Sequence, residues 1–180
     1  MLYIMMLFLI YSFGGCILEI LYCGLLNLRL ESRKCMLLSM LCPVYGIGAL
    51  SVIWTTAPFQ KSKIAVFLVG AIAATLAEYV TDFFYKEILH VEFWNYSKQF
   101  LNINGRVCLL YTAIWGVLSL ALVYWVHPRV SVLVSKIDDR LALFLTLFFV
   151  ADAILSMYLL RRYETKNAID LVKLYRGMIS

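Results

Sequence analysis

The chain has 180 residues, of which 63% are hydrophobic and only 15% are charged, and its mean hydropathy is +0.86. A soluble domain is usually about half apolar and about a quarter charged, because its surface needs that charge. The composition therefore excludes a soluble enzyme and predicts a protein whose solvent is the lipid bilayer.

Five apolar stretches follow one another along the chain, and each is close to the 17–25 residues that a crossing helix needs. They cover residues 2–28, 35–58, 64–85, 107–126 and 141–160. The predicted fold class is all-α, a polytopic bundle of about five transmembrane helices within a transmembrane domain over residues 1–160. The first stretch has no basic leader and no small-residue cleavage site, so we expect a retained helix.

Basic residues predict the orientation. The connecting segments alternate sides, and the side that holds residues 29–34, 86–106 and 161–180 carries eleven of the 16 Lys and Arg. The positive-inside rule then places the N-terminus outside and the C-terminus in the cytoplasm. Residues 161–180 are expected to form an amphipathic cytoplasmic tail on the membrane surface, with a frayed, solvated terminus as the alternative.

Acidic residues show the opposite distribution. All 16 Lys and Arg lie outside the predicted spans, whereas four acids lie inside them: Glu19, Glu78, Asp82 and Asp152. An ionised Asp near a helix centre costs roughly 2.5–3.5 kcal/mol on insertion scales, so these side chains should face the bundle interior. Glu19, Glu78 and Asp152 stand 8–10 residues before the base that ends each helix. We therefore expect one acidic level near mid-membrane, with Asp82 one turn below Glu78.

This acidic level has two interpretations. The acids line a path for a substrate, ion or proton, or they form interhelical hydrogen bonds that hold the bundle together. Arg106 and Lys34, each at the start of a span, are candidate counter-charges.

The segment before the fourth span adds polar and aromatic candidates, namely Trp94, Asn95, Tyr96 and Asn104. Their side chains could close a polar pocket from the cytoplasmic side, or the aromatic rings could anchor the segment at the membrane interface. In the second span, Pro43 and Gly46 predict a helix break that lines the site, with an ordinary kink as the alternative. The five Cys lack the spacing of zinc or redox motifs, and no metal site is expected.

A weak internal repeat relates the two halves of the chain. Residues 8–10 (FLI) stand 11 residues before Glu19, and residues 67–69 (FLV) stand 11 before Glu78. Each acid is followed by a loop that ends on a basic residue, and then by Tyr45-Gly46 in one copy and Trp115-Gly116 in the other. The pattern indicates a tandem duplication of a two-helix unit.

Six motifs carry a family resemblance. They are residues 11–19 (YSFGGCILE), 42–46 (CPVYG), 78–79 (EY), 94–97 (WNYS), 104–111 (NGRVCLLY) and 127–128 (HP). In this order they resemble the bacterial integral membrane family described as putative ABC-transporter type IV. Two positions depart from the pattern that we expect of the family, Cys16 in place of Trp and Asn95 in place of Asp.

The resemblance implies a permease-like subunit in the bacterial inner membrane. The chain holds no GxxxxGK[ST] phosphate loop, so the resemblance implies a separate nucleotide-binding subunit on the cytoplasmic side. Five spans are few for a translocation path, so a homodimer or a hetero-complex is expected. No cofactor and no nucleic-acid partner are expected.

Three functions remain open from the sequence. The first is a transport component whose carboxylates line a polar path. The second is an intramembrane enzyme that uses Glu19 or Glu78 as a general acid or base and Arg106 to bind a lipid-like anion. The third is a small membrane scaffold or regulatory protein whose acids are structural.

Overall fold

The computed structural model of the protein describes residues 1–25 and 36–175. In these residues the secondary structure is helical, which confirms the predicted all-α class. The helices are α1 (Leu2–Leu25), α2 (Pro43–Thr56), α3 (Lys63–Phe83), α4 (Leu109–Ala121), α5 (His127–Val134), α6 (Asp139–Tyr163) and α7 (Leu171–Tyr175).

Four helical stretches in the described residues are long and apolar enough to cross a bilayer: Leu2–Leu25, Lys63–Ile88, Leu109–Val134 and Asp139–Tyr163. The third span ends later than predicted because a π-helical turn, Phe84–Ile88, continues α3. The fourth also runs further, because a second π-helical turn, Leu122–Val126, joins α4 to α5. Residues 26–28 of the first predicted span lie outside the described residues, as do Lys34 and Cys35.

The second predicted span, residues 35–58, is not one helix. α2 begins at Pro43 and has 14 residues, so it is about 21 Å long, shorter than the roughly 30 Å hydrocarbon core. Proline suits the first turn of a helix, where its missing N–H costs nothing. Residues 36–42 before it are non-helical, and the amide of Cys42 donates to the carbonyl of Ser12 on α1 (3.3 Å). Pro43 is therefore the first residue of α2, whereas Gly46 lies inside that helix, which is not broken there.

Side-chain caps fix the starts of two spans. The Ser62 hydroxyl accepts from the amide of Ala65 at the start of α3, and the Asp138 carboxylate accepts from the amides of Arg140 and Leu141 at the start of α6. Such caps satisfy amides that have no partner inside the helix. α3 packs against both α2 and α4, and α1 packs against α2 and α6.

The two helix pairs of the repeat pack in the same way. A Cβ on Gly46 would lie 2.6 Å from the ring of Phe8, and a Cβ on Gly116 would lie 2.6 Å from the ring of Phe67. Phe8 and Phe67 are equivalent in the sequence repeat, and so are Gly46 and Gly116. Each aromatic ring occupies the space of a missing side chain, so the positions matched by the sequence repeat make the same packing contact.

The tail differs from the predicted amphipathic helix over residues 161–180. α6 ends at Tyr163, and Glu164 has a left-handed backbone (φ 51°) that stops the helix. A 3₁₀ turn, Lys166–Ile169, follows, and in it Ala168 and Ile169 are fully buried. This part of the tail packs into the protein because these two side chains join the core. Residues 176–180 lie outside the described residues.

We expect Gly46→Ala to lower the free energy of unfolding by about 1–3 kcal/mol, since the added methyl group overlaps the Phe8 ring and the Ser12 hydroxyl. Gly48→Ala, two residues along the same helix, is the control because a Cβ there meets nothing within 4 Å. The measurement is the midpoint of thermal unfolding of the purified protein in detergent. Equal midpoints for the two variants would contradict the packing described for Gly46.

Candidate functional site

Glu78 is held between two aromatic donors. Its side chain lies on α3 and is 4% exposed. The Tyr96 hydroxyl donates to Oε1 (3.0 Å) and the Trp115 indole Nε1 donates to Oε2 (2.8 Å). Tyr96 comes from the loop before α4 and Trp115 from α4 itself, so three separate segments meet at one carboxylate. Hydrogen bonds to both oxygens fix the orientation of the carboxyl group.

Glu19 has the equivalent arrangement in the first half of the chain. The Tyr45 hydroxyl of α2 donates to Glu19 Oε2 on α1 (3.0 Å). In the repeat, Glu19 corresponds to Glu78 and Tyr45 to Trp115, so each acid accepts a hydrogen bond from the aromatic residue of its own pair. The rings of Tyr45 and Trp115 also contact each other edge to face, with centroids 6.0 Å apart.

Glu19 and Glu78 line one cavity. Its volume is about 290 Å³, and it lies between α1 and α4. Aromatic side chains dominate the rest of its wall: Tyr22, Tyr45, Trp94, Tyr96, Tyr111 and Trp115. Four of the residues selected from the sequence, Glu19, Glu78, Trp94 and Tyr96, are therefore brought together.

Asp82 lies one turn further along α3, in a separate ionic cluster. It is fully buried. Its Oδ2 lies 3.2 Å from Lys86 Nζ and 3.9 Å from Arg106 Nε. Arg106 Nη2 also pairs with Glu87 (2.6 Å). Arg106 thus acts as the predicted counter-charge for Asp82, while neither residue is among those lining the cavity.

The guanidinium group of Arg106 is also held by aromatic rings. Its Cζ lies 5.4 Å from the centroid of Tyr79 and 5.1 Å from that of Phe83. These distances are in the range of cation–π contacts. The backbone carbonyl of Arg106 accepts from the Trp94 indole (3.1 Å). Arg106 therefore ties the loop before α4 to α3.

Asp152 is placed apart from the other acids. Its Oδ1 accepts from the amide of Leu38 (2.9 Å), and its Oδ2 accepts from the amide (2.8 Å) and hydroxyl (2.6 Å) of Ser39. The Ser156 hydroxyl lies 3.3 Å from Oδ1. These amides belong to the non-helical segment before α2, where no helix satisfies them. The structure does not bring Asp152 to the cavity that Glu19 and Glu78 line.

The remaining candidates shape the loop before α4. Asn95 Oδ1 accepts from the amide of Ser97 (2.8 Å), and Asn104 Nδ2 donates to the Tyr79 hydroxyl (3.1 Å). Asn104 and Gly105 have positive φ angles of 53° and 68°, so this Asn-Gly pair forms a tight turn. Trp94 and Tyr96 are 7% and 5% exposed, so their rings are packed inside the protein.

Tyr45 and Trp115 were not among the site residues predicted from the sequence. The sequence carried a signal for them, because each precedes the glycine of its repeat copy. In an apolar chain, however, an aromatic residue before glycine is also typical of simple packing. The partner acid is known only when the helices are placed side by side.

The fold and site define a helical membrane bundle built from two similar helix pairs, with carboxylates held inside it. Residues 6–157 match the model of the family described as Putative ABC-transporter type IV. The chain belongs to this family, as the sequence motifs predicted. No curated protein and no solved structure matches the chain.

We expect Asp152→Asn to destabilise the protein by about 1.5–3 kcal/mol, because an amide cannot accept from three donors as the carboxylate does. Asp139→Asn is the control, since Asp139 is exposed at the start of the same helix and its loss costs at most about 1 kcal/mol. Thermal unfolding in detergent measures both variants. An Asp152→Asn protein as stable as Asp139→Asn would show that residues 36–42 do not depend on this carboxylate.

Proposed function

We propose that the chain is a permease-like component of a membrane transport system, and that Glu19 and Glu78 line its substrate path. The observation that supports this most is their meeting at one cavity from different helix pairs. An acid that served only to bind two helices together would have no need to face a shared space. Membership of an ABC-transporter type family supports the same function.

The hydrogen bonds of the two acids suit this role. Each glutamate accepts from an aromatic donor on the next helix, so its carboxyl group is oriented before any substrate arrives. Such preorganised acceptors inside a bundle are typical of paths for polar substrates or ions.

Asp82 and Arg106 have a supporting role in this proposal. Their ion pair lies next to the cavity along α3 and fixes the loop that carries Tyr96. Arg106 is engaged by Asp82, Glu87 and two aromatic rings, and these contacts favour a structural role for Arg106 over the binding of a lipid-like anion.

The proposed system has further parts. The chain holds no phosphate-binding loop for ATP, so a separate nucleotide-binding subunit is expected to drive transport from the cytoplasmic side. Four to five spans are few for a complete path, so we expect the chain to work as a homodimer or within a hetero-complex.

The orientation proposed is that given by the basic residues, with the N-terminus outside the bacterial inner membrane and the C-terminus in the cytoplasm. An alkaline phosphatase fused to the C-terminus is then expected to be inactive and a green fluorescent protein at the same position to be fluorescent. The reverse pair of results would contradict this orientation.

Transport predicts that Glu78→Gln and Glu19→Gln abolish function in a protein that still folds. The amide keeps the size of the side chain but removes its charge. Mass spectrometry measures the concentrations of small molecules in the medium and in the cytoplasm. These concentrations are compared between cells with the wild-type chain and cells without it. The wild-type difference should disappear in both variants, at equal amounts of membrane-inserted protein.

Glu164→Gln is the control, because Glu164 is exposed and pairs only with the nearby Arg161 among the salt bridges described. It should retain the wild-type difference. Two results would contradict the proposal. In one, the Glu78 and Glu19 variants behave like wild type. In the other, they lose thermal stability to the same extent as they lose function.

A further inference from the structure

A second cavity adjoins the first and lies beside an earlier part of α1, from Tyr11 to Leu18. Its volume is about 370 Å³, and its lining is chiefly apolar. Both cavities share the residues Leu18, Val44, Tyr45, Glu78, Trp115 and Leu118, so they adjoin each other. We call the second cavity the lateral groove. Its two walls are α1 and the α4–α5 stretch, and residues of α2 form its floor.

The walls of the lateral groove are single helix faces. Tyr11, Gly14 or Gly15, and Leu18 line it from α1 at intervals of three to four residues. Trp115, Leu118 or Ser119, and Leu122 line it from the opposite helix at the same intervals. This is the spacing of one face of an α-helix. Two membrane-spanning helices therefore stand on either side of a long, narrow space.

Tyrosine contacts join the two walls at both ends. At one end the Tyr11 hydroxyl lies 2.7 Å from His127 Nδ1. At the other end the hydroxyls of Tyr22 and Tyr111 lie 3.4 Å apart. Between these contacts the walls are separated by the cavities. Leu18 and Leu118, which line both, are 54% and 36% exposed, so the space reaches the surface of the bundle between the two tyrosine contacts.

Two glycines enlarge the lateral groove without serving the internal packing. A Cβ on Gly14 or on Gly48 would meet nothing within 4 Å. Gly15 and Gly46 differ, since a Cβ there would overlap neighbouring side chains. The small size of Gly14 and Gly48 therefore leaves open volume in the groove itself.

The position of the groove limits what can fill it. An apolar cavity does not hold water well, because water needs polar partners. Both walls belong to spans, so the exposed side between them meets the hydrocarbon of the bilayer. The volume is within the range of small-molecule sites, roughly 300–1,000 Å³.

We propose that the lateral groove binds one hydrocarbon chain of a membrane amphiphile, which enters from the bilayer between α1 and α4. The inner end of the groove is formed by Tyr45, Glu78 and Trp115, so the polar part of such a molecule lies at the carboxylates. If the amphiphile is the substrate, this proposal rests on the transport function proposed above. Binding itself does not require transport, so the two are tested separately.

The test uses the wild-type chain in nanodiscs that hold one copy each, made of phosphatidylglycerol with a trace of a phospholipid that carries a diazirine midway along one acyl chain. After illumination, peptide mass spectrometry locates the adducts. We expect adducts on the floor of the groove, at Gly48 and Ala49 of α2, and on the groove faces of α1 and α4. Surface lipids cannot reach that floor without entering the groove.

Gly14→Leu fills the groove and should abolish the adducts at Gly48 and Ala49. Gly24→Leu is the matched control, because Gly24 lies on the same helix, is exposed, and a Cβ there also meets nothing within 4 Å. It should leave the adducts unchanged. Adducts at exposed positions such as Leu68 of α3 should be the same in all three proteins.

Two results would overturn the proposal. In the first, only exposed positions are labelled and Gly14→Leu changes nothing. In the second, nanodiscs with two copies protect the groove and crosslinking joins α1 of one copy to α4 of the other, so that a second copy is the occupant.

Loss of transport in Glu78→Gln with intact groove labelling would support the proposed function. Intact transport in Glu78→Gln with groove labelling would contradict that function and leave the groove proposal standing.

Discussion

A carboxyl group inside a membrane-spanning helix must find hydrogen-bond donors or a counter-charge within the protein. The chain meets this constraint in three ways. Asp152 accepts from the backbone of a non-helical segment, and Asp82 pairs with Lys86 and Arg106. Glu19 and Glu78 accept from Tyr45 and Trp115. This last arrangement places both acids at one cavity.

The similar packing of the two helix pairs brings the two glutamates together. Each helix pair packs through a phenylalanine against a glycine, and the aromatic residue before that glycine donates to the glutamate of the same pair. The two pairs pack against each other through α2 and α3, where Tyr45 and Trp115 are in contact and the two acids line one cavity.

Much of this could be predicted from sequence. Hydropathy predicted the helical class, and the repeat predicted the equivalence of Glu19 and Glu78 and of Tyr45-Gly46 and Trp115-Gly116. The shared depth of the acids was a weaker guide, because depth along a helix says nothing about the direction a side chain faces. For Asp152 the sequence did not show that the residues before Pro43 are non-helical. Their amides therefore need acceptors outside a helix, and Asp152 is one such acceptor. The apolar groove had no sequence signal, since its glycines resemble those used in packing.

The site depends on each glutamate being held by the aromatic donor of its own helix pair. A double-mutant cycle of Trp115→Phe and Glu78→Gln, followed by unfolding in a detergent–SDS titration, measures this directly. We expect a coupling free energy of about 0.6 kcal/mol, the average for hydrogen bonds between membrane helices, and at most about 1.7 kcal/mol. A similar value is expected for Tyr45→Phe with Glu19→Gln. Additive effects in both cycles, within about 0.3 kcal/mol, would contradict it.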